Sequence, residues 1–205
     1  MPRNETKAQL REIERSHARD TFAGTVELAR TYLASHPKSW DVLYYYGCSL
    51  YELARYTEAL AALRRAARLC PPTVLHIVHS HFGHLHKRRG AFRIAERWYR
   101  RAVERCPGDA TYHIFLGALL ARSGRLQEAA AIHRRATRCK EGCIDEAFFN
   151  LGLVLRALEC YSDARKCFRR ALAIDPKYKS AREELSDVEH VIEKIRNAHP
   201  KRRTK

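Results

Sequence analysis

The feature that most constrains this chain is a repeat of roughly 35 residues. Glycines recur at intervals of 36, 34 and 35 residues, at Gly47, Gly83, Gly117 and Gly152. Each glycine is followed by an alanine 12 residues later and by a second alanine seven residues after that. In three copies a proline stands five residues beyond the second alanine, whereas the third copy has Glu141 there. A fixed period in this range indicates a solenoid, in which each repeat stacks on its neighbours.

Each copy predicts two helices joined by a short turn. The segment "SWDVLYYYGCSLYELA" has apolar residues at the i, i+3, i+4, i+7 spacing of a helix. The segment "YTEALAALRRAARLC" places Ala59, Leu63 and Ala66 on one stripe, and the proline after it prevents continuation. A small residue such as the repeat glycine lets the second helix approach closely. One such hairpin cannot bury its own apolar face, so we expect neighbouring hairpins to stack on it.

One segment of the chain, "FFNLGLVLRALECYSDARKCFRRALAIDP", resembles the tetratricopeptide repeat (TPR) family. The residues that carry the match are Leu151, Gly152, Ala164, Phe168, Ala171 and Pro176. The resemblance covers residues 40–178 in four copies, at 40–73, 76–109, 110–143 and 145–178. It implies an all-α fold, a right-handed α-solenoid of stacked helix-turn-helix hairpins. It also implies a role in binding proteins or peptides rather than in catalysis.

The segments outside the four copies predict ends for the solenoid. Residues 1–39 look like a degenerate hairpin with a polar first helix, and residues 179–197 read as a polar-faced capping helix. Residues 198–205 form a basic tail, which we expect to be disordered. No apolar stretch approaches the ~18 residues of a membrane span, and the N-terminus lacks the apolar core of a secretory signal. We therefore expect a cytoplasmic protein whose seven cysteines are reduced thiols.

The net charge of +16 draws attention to the tripeptide Arg-Arg-Ala, which occurs once in each copy. On a helix, the two arginines lie about 140° and 240° from the first repeat alanine, on either side of the buried stripe. Stacking would then form two basic rows: Arg64, Arg100, Arg134 and Arg169, and Arg65, Arg101, Arg135 and Arg170. The favoured interpretation is a solvated face copied by duplication. The alternatives are a surface for an acidic protein, for nucleic acid or for an anionic lipid surface.

The segment "HIVHSHFGHLH" holds five histidines: His76, His79, His81, His84 and His86. The pairs on one face are spaced i, i+3 rather than the i, i+4 of helical two-histidine metal sites, and no carboxylate lies among them. We therefore predict no metal and no cofactor. His79 and His86 stand at large packing positions of the family and should be buried, whereas His81 and His84 should face the groove. A pH-responsive switch is the alternative.

The resemblance places ligand contacts on the exposed side of each first helix, lining a concave groove. Projected onto this chain, those positions are Tyr44, Tyr45, Cys48, Ser80, His81, His84, Thr111, Ile114, Phe115, Phe149, Asn150 and Leu153. Such a surface suits an extended or helical peptide with apolar anchors, and Asn150 resembles the groove asparagine that holds a peptide backbone. The basic clamp with which some relatives bind acidic chaperone tails is not evident. The alternative is a groove partly closed by the N-terminal helix or by self-association.

These observations favour a non-enzymatic adaptor that binds a protein or peptide segment in its groove. The runner-up is a protein that binds nucleic acid or an anionic surface through the arginine rows. A hydrolase or metalloenzyme is disfavoured because no motif brings together a nucleophile, a base and an orienting group. The identity of the partner and the oligomeric state stay open.

Overall fold

The structure, a computed structural model, describes residues 3–198 as helices joined by short connections. Apart from Ala198, the predicted basic tail lies outside the described residues. Two compact units divide the chain, one ending at Arg105 and the other beginning at Cys106. We call them unit 1 and unit 2 and describe each by itself.

Within its described residues, 3–105, unit 1 contains six α-helices. They are α1 (Arg3–Ala18), α2 (Phe22–Ser35), α3 (Trp40–Glu52), α4 (Tyr56–Leu69), α5 (Leu75–Arg88) and α6 (Phe92–Arg105). A single 3-10 turn at Pro72–Val74 precedes α5. Each helix packs against the next up to α6, and α3 also contacts α1 and α5. The first helices of successive hairpins therefore lie side by side.

The described part of unit 2, residues 106–198, contains five α-helices. They are α7 (Ala110–Arg122), α8 (Leu126–Ala136), α9 (Ile144–Ala157), α10 (Tyr161–Ile174) and α11 (Lys179–Ala198). Here too each helix packs on the next, α9 also contacts α7, and α11 contacts α9. Ala181 and Val188 of α11 are fully buried, so this last helix covers the apolar side of the hairpin before it.

The repeat glycine brings the two helices of each hairpin into close contact. A Cβ on Gly152 would lie 2.5 Å from a ring carbon of Phe168, and one on Gly117 would lie 2.5 Å from the ring of His133. Only glycine fits at such a separation. The repeat alanines are fully buried beside this contact: Ala59, Ala66, Ala95, Ala102, Ala129, Ala136, Ala164 and Ala171.

The repeat prolines mark where three of the second helices end. Helices α4, α6 and α10 each end two residues before the proline of their copy, which is Pro71, Pro107 and Pro176 respectively. The copy without a proline ends its helix earlier, at Ala136. The backbone N–H of Glu141 donates to the carbonyl of Gly108 (3.3 Å), and the Glu141 carbonyl accepts from Ala110 N–H (2.9 Å). This pairing ties the connection to the start of α7 without a proline.

The predicted fold class is confirmed: an all-α solenoid of helix-turn-helix hairpins. Throughout residues 3–198, no helix is long and apolar enough to cross a membrane. The seven cysteines are all free thiols.

Candidate functional site

The predicted contact residues lie on α3 and α5 in unit 1 and on α7 and α9 in unit 2. We call the partly exposed side of α3 and α5 the first-helix face of unit 1, and that of α7 and α9 the first-helix face of unit 2. Nine of the twelve predicted residues are half-buried there: Tyr44, Tyr45, His81, His84, Thr111, Phe115, Phe149, Asn150 and Leu153. These nine side chains have part of their surface open to solvent.

The other three predicted contact residues are buried, which corrects the expectation that they face a ligand. Cys48 is fully buried, and its Sγ lies 3.2 Å from Nδ1 of His81. The Ser80 hydroxyl donates to the carbonyl of Ile77 (2.8 Å) within its own helix. Ile114 packs in the core between the helices of unit 2. A helical projection places these residues beside the exposed stripe, but packing buries all three.

His81 joins α3 to α5 instead of offering its ring to a ligand. Its Nε2 lies 2.8 Å from the hydroxyl of Tyr44, and its Nδ1 lies 2.8 Å from the hydroxyl of Tyr51. Burial, followed by the nearby His84 and His17, lowers the pKa of His81 to about 3. The ring is therefore neutral near pH 7, with one nitrogen able to donate and the other to accept a hydrogen bond. Tyr51 had no sequence signal that marked it as a partner.

His84 takes part in the same polar cluster. Its Nδ1 lies 2.9 Å from the hydroxyl of Tyr99 on α6, and its ring centroid lies 5.3 Å from that of His81. Burial, with smaller effects from Lys87 and Arg88, lowers its pKa to about 4. The two histidines predicted to face the groove are thus largely committed to packing within unit 1.

Part of the first-helix face of unit 1 is covered by α1. The ring of His17 lies 5.4 Å from that of Tyr45, and its Nδ1 lies 3.0 Å from the hydroxyl of Ser49. Burial, against weaker opposing effects from Asp20 and Glu52, lowers the pKa of His17. The surface beside Tyr45 is therefore shared with the N-terminal hairpin.

The first-helix face of unit 2 is apolar with one amide. Phe115 on α7 and Phe149 and Leu153 on α9 are half-buried. Phe149 lies against Tyr178 (ring centroids 4.9 Å apart), which anchors one side of the ring. Asn150 Nδ2 donates to the Glu146 carbonyl (2.9 Å), which aligns the amide along α9. The side chain has further hydrogen-bonding capacity beyond that one bond.

Of the two histidines predicted to be buried, His86 is buried, whereas His79 is half-buried. The ring of His79 lies 5.3 Å from that of Trp98, and burial, with Arg105 and Arg101 nearby, lowers its pKa to about 4. His86 is only 9% exposed. Within the part of the chain that the structure describes, no group of three or more His, Cys, Asp or Glu side chains could hold a metal ion.

The arginine pairs are exposed at all eight positions, with two pairs in each unit. Their contacts differ from copy to copy. Arg65 donates to the Pro37 carbonyl, Arg100 pairs with Glu96, Arg169 pairs with Glu189, Arg101 lies over Trp98, and Arg170 lies over Phe148. The guanidinium groups of the other three, Arg64, Arg134 and Arg135, make no hydrogen bond or ion pair within residues 3–198. The same register position therefore serves different local contacts.

Stacked helical hairpins with a glycine packed against a bulky side chain define an α-solenoid repeat protein. A family model described as "Tetratricopeptide repeat" matches residues 22–72 and 82–142, and a second model of that description matches residues 145–178. These matches cover most of the chain, which therefore belongs to the tetratricopeptide repeat family.

A TPR repeat-containing protein of Methanocaldococcus jannaschii is 23% identical over 164 residues. The match covers 80% of this chain but spans only 27% of that relative's length. Among solved structures, the C-terminal part of a TPR repeat-containing protein from Cytophaga hutchinsonii superposes with a TM-score of 0.70 at 17% identity, covering 87% of this chain and 69% of that one. YrrB, described as a TPR protein with an unusual peptide-binding site, gives 0.58 at 19% identity, covering 85% and 89%. At these identities the structures support the fold alone.

Proposed function

We propose that this protein is a non-enzymatic adaptor that binds an extended or helical segment of a partner protein on the first-helix face of unit 2. The observation that carries the proposal is the set of half-buried side chains on α7 and α9: Phe115, Phe149 and Leu153 beside the amide of Asn150. Apolar anchors with one well-placed hydrogen-bonding group are what a peptide site needs.

Unit 2 is favoured over unit 1 because the polar groups of the unit 1 face have partners of their own. Tyr44 and His81 hydrogen-bond to each other, and Tyr45 lies against His17 of α1. A ligand there would have to break these contacts before making its own. On α9, by contrast, Leu153 has an apolar surface that a ligand could cover without that cost.

The similarity to known proteins also favours binding of a protein or peptide. The family is a protein-interaction scaffold type, and the structural relative YrrB is described as having a peptide-binding site. The rival use of the arginine rows receives less support, since five of the eight arginines are engaged by groups within the protein.

The test uses the full chain and a random peptide library displayed on phage. A peptide enriched by selection is labelled, and its affinity is measured by fluorescence anisotropy for the wild type, for Leu153→Asp and for Ile174→Asp. Ile174 is 50% exposed on α10, so its variant introduces the same charge away from the proposed face. We expect Leu153→Asp to weaken binding at least about tenfold, or roughly 1.4 kcal/mol, and Ile174→Asp to leave it unchanged.

Two results would contradict the proposal. One is equal weakening by both variants, which would indicate a general charge effect. The other is a failure to enrich any peptide together with binding of an oligonucleotide that is lost at raised salt, which would favour the arginine surface.

A further inference from the structure

An open groove runs along α1 and α2 in unit 1. It consists of two concave surfaces, with volumes of about 270 Å³ and 570 Å³. Glu12 of α1 and Leu28 of α2 line both surfaces, so the two are continuous. All the lining residues belong to residues 8–35, although α1 also packs on α3. We call this surface the α1–α2 groove.

Three arginines line the larger part of the groove at intervals of one helical turn. Arg11, Arg15 and Arg19 follow one another at i, i+4 and i+8, and the N–H of Arg19 donates to the Arg15 carbonyl (3.1 Å) just past the end of α1. Residues four apart lie on one side of a helix, with a rise of about 6 Å per step. All three side chains are exposed, and their guanidinium groups make no hydrogen bond or ion pair within residues 3–198. These arginines, the α1 row, therefore form a line of unneutralised charge along the groove.

The turn that joins α1 to α2 is held by its own hydroxyl groups. Thr21 Oγ1 donates to the Ser16 carbonyl (2.7 Å), and Thr25 Oγ1 donates to Ser16 Oγ (2.9 Å). Ser16 Oγ also lies 2.8 Å from Thr21 Oγ1. Because these hydroxyls are engaged with one another, the charged side chains are the polar groups that the groove offers to a ligand.

The lining of the groove favours a protein helix over a nucleic acid. Leu28 is half-buried and contributes apolar surface to both parts. The carboxylate of Glu12 lies in the same lining and would repel a phosphodiester chain. Proteins bind single-stranded nucleic acids by stacking bases on aromatic side chains, and the residues that line the basic part include none. An amphipathic helix fits better, because it can place apolar residues over Leu28 and charges of either sign beside them.

We propose that the α1–α2 groove binds an acidic amphipathic helix of a partner protein, whose carboxylates, placed one turn apart, pair with Arg11, Arg15 and Arg19. A guanidinium group can bind a carboxylate through two parallel N–H donors, which fixes direction as well as attraction. A helix with carboxylates at i, i+4 and i+8 repeats the same rise of about 6 Å per step, so all three pairs form together. Exposed ion pairs contribute mainly to specificity, and apolar contact with Leu28 adds to the affinity.

The test uses the full chain and a synthetic helix about five turns long. This glutamate helix carries leucines along one stripe and glutamates at every fourth position beside it, and side-chain lactam bridges hold it helical. A matched peptide has glutamine in place of glutamate. Fluorescence anisotropy measures both affinities, and hydrogen exchange of the protein locates the bound peptide. We expect saturable binding of the glutamate helix that protects amides of α1 and α2 and weakens as salt is raised, and at least tenfold weaker binding of the glutamine peptide.

Two triple variants separate the α1 row from general charge. The row variant combines Arg11→Gln, Arg15→Gln and Arg19→Gln. The control variant removes the same charge from exposed positions of unit 2 by combining Arg134→Gln, Arg135→Gln and Arg138→Gln. All six side chains are exposed, so we expect both variants to fold, which circular dichroism checks. The row variant should bind the glutamate helix at least tenfold more weakly, and the control variant should bind it as the parent does.

Several results would overturn the proposal. These are no binding of the glutamate helix, equal weakening by the two variants, or protection of α7 and α9 instead of α1 and α2. The last result would assign the peptide to the site proposed for unit 2. Protection of α1 by a single-stranded oligonucleotide but not by the glutamate helix would assign the row to nucleic acid. Dimerisation of the full chain in sedimentation experiments, lost in the row variant, would assign the groove to a second copy of the chain.

Discussion

The contact between Gly152 and Phe168 predicts how sensitive the hairpins are to a single methyl group. An alanine Cβ at position 152 would lie 2.5, 2.8 and 2.9 Å from three carbons of the Phe168 ring. Carbon atoms pack favourably at about 3.5–4.0 Å, so the ring must retreat by about 1 Å. Phe168 is fully buried, and Phe149 packs on its ring at a centroid distance of 5.9 Å. The ring therefore has little room to move within unit 2.

Two effects of Gly152→Ala oppose each other. Overpacking a core costs about 1–3 kcal/mol. Replacing glycine by alanine inside a helix stabilises it by about 1 kcal/mol. Because the Phe168 ring has little room to move, we expect an overpacking cost in the upper part of that range, about 2–3 kcal/mol, and hence a net loss of about 1–2 kcal/mol in the free energy of unfolding. Urea unfolding followed by circular dichroism measures the change, and hydrogen exchange of the α9 and α10 amides locates it.

Two further variants make this reasoning refutable. Gly108→Ala meets no atom within 4 Å and should not lower stability. Phe168→Ala removes the ring that a Cβ at position 152 would meet. The double variant with Gly152→Ala should therefore be more stable than the sum of the single changes implies. The steric argument fails if Gly152→Ala matches the parent, or if the two changes simply add.

Two other predictions concern acid and the last helix. Burial holds the pKa of His81 at about 3 and that of His84 at about 4, whereas an unfolded imidazole titrates near 6.5. The unfolded state therefore gains protons as pH falls below 6.5, and each imidazole should remove about 2 kcal/mol of stability by pH 5. Urea midpoints at several pH values should show this slope, reduced in His81→Asn; a flat profile would contradict it. Val188→Asp should detach α11 because it places a charge at a fully buried position. Hydrogen exchange should then become faster for the amides of 179–198, while those of α9 stay protected. Unchanged exchange in 179–198 would refute this.

The fold could be predicted because its determinants repeat. The glycine and alanine spacing implies two helices per copy, and the prolines indicate where three of the second helices end. Glu141 shows the limit of this reasoning. The chain ends α8 early and pairs the backbone of Glu141 with Gly108 and Ala110, an interaction between residues more than 30 positions apart. Periodicity carries no information about such a pairing.

The candidate site could be predicted only in part, because its composition depends on contacts between copies. A projection of one helix places Cys48, Ser80 and Ile114 near the exposed stripe, yet packing of the neighbouring helices buries them. The bonds from His81 to Tyr44 and Tyr51 likewise join residues 37 and 30 positions apart. Which side of a first helix stays open follows from how closely its neighbour approaches, and that distance is set by side chains of both helices.

Residues that depart from the repeat are more informative about specific function than those that recur. Arg100 and Arg101 belong to the repeated pair, and each contacts a residue of its own helix, as an arginine on a solvated surface often does. Arg89 and Arg97 replace small or apolar residues in at least two other copies and carry no compensating charge in the described chain. Because duplication copies a residue without selecting for a ligand, recurrence is poor support for binding. A buried His86 whose Nδ1 has no partner among the described residues, at a position where the other copies have leucine, therefore needs a local explanation.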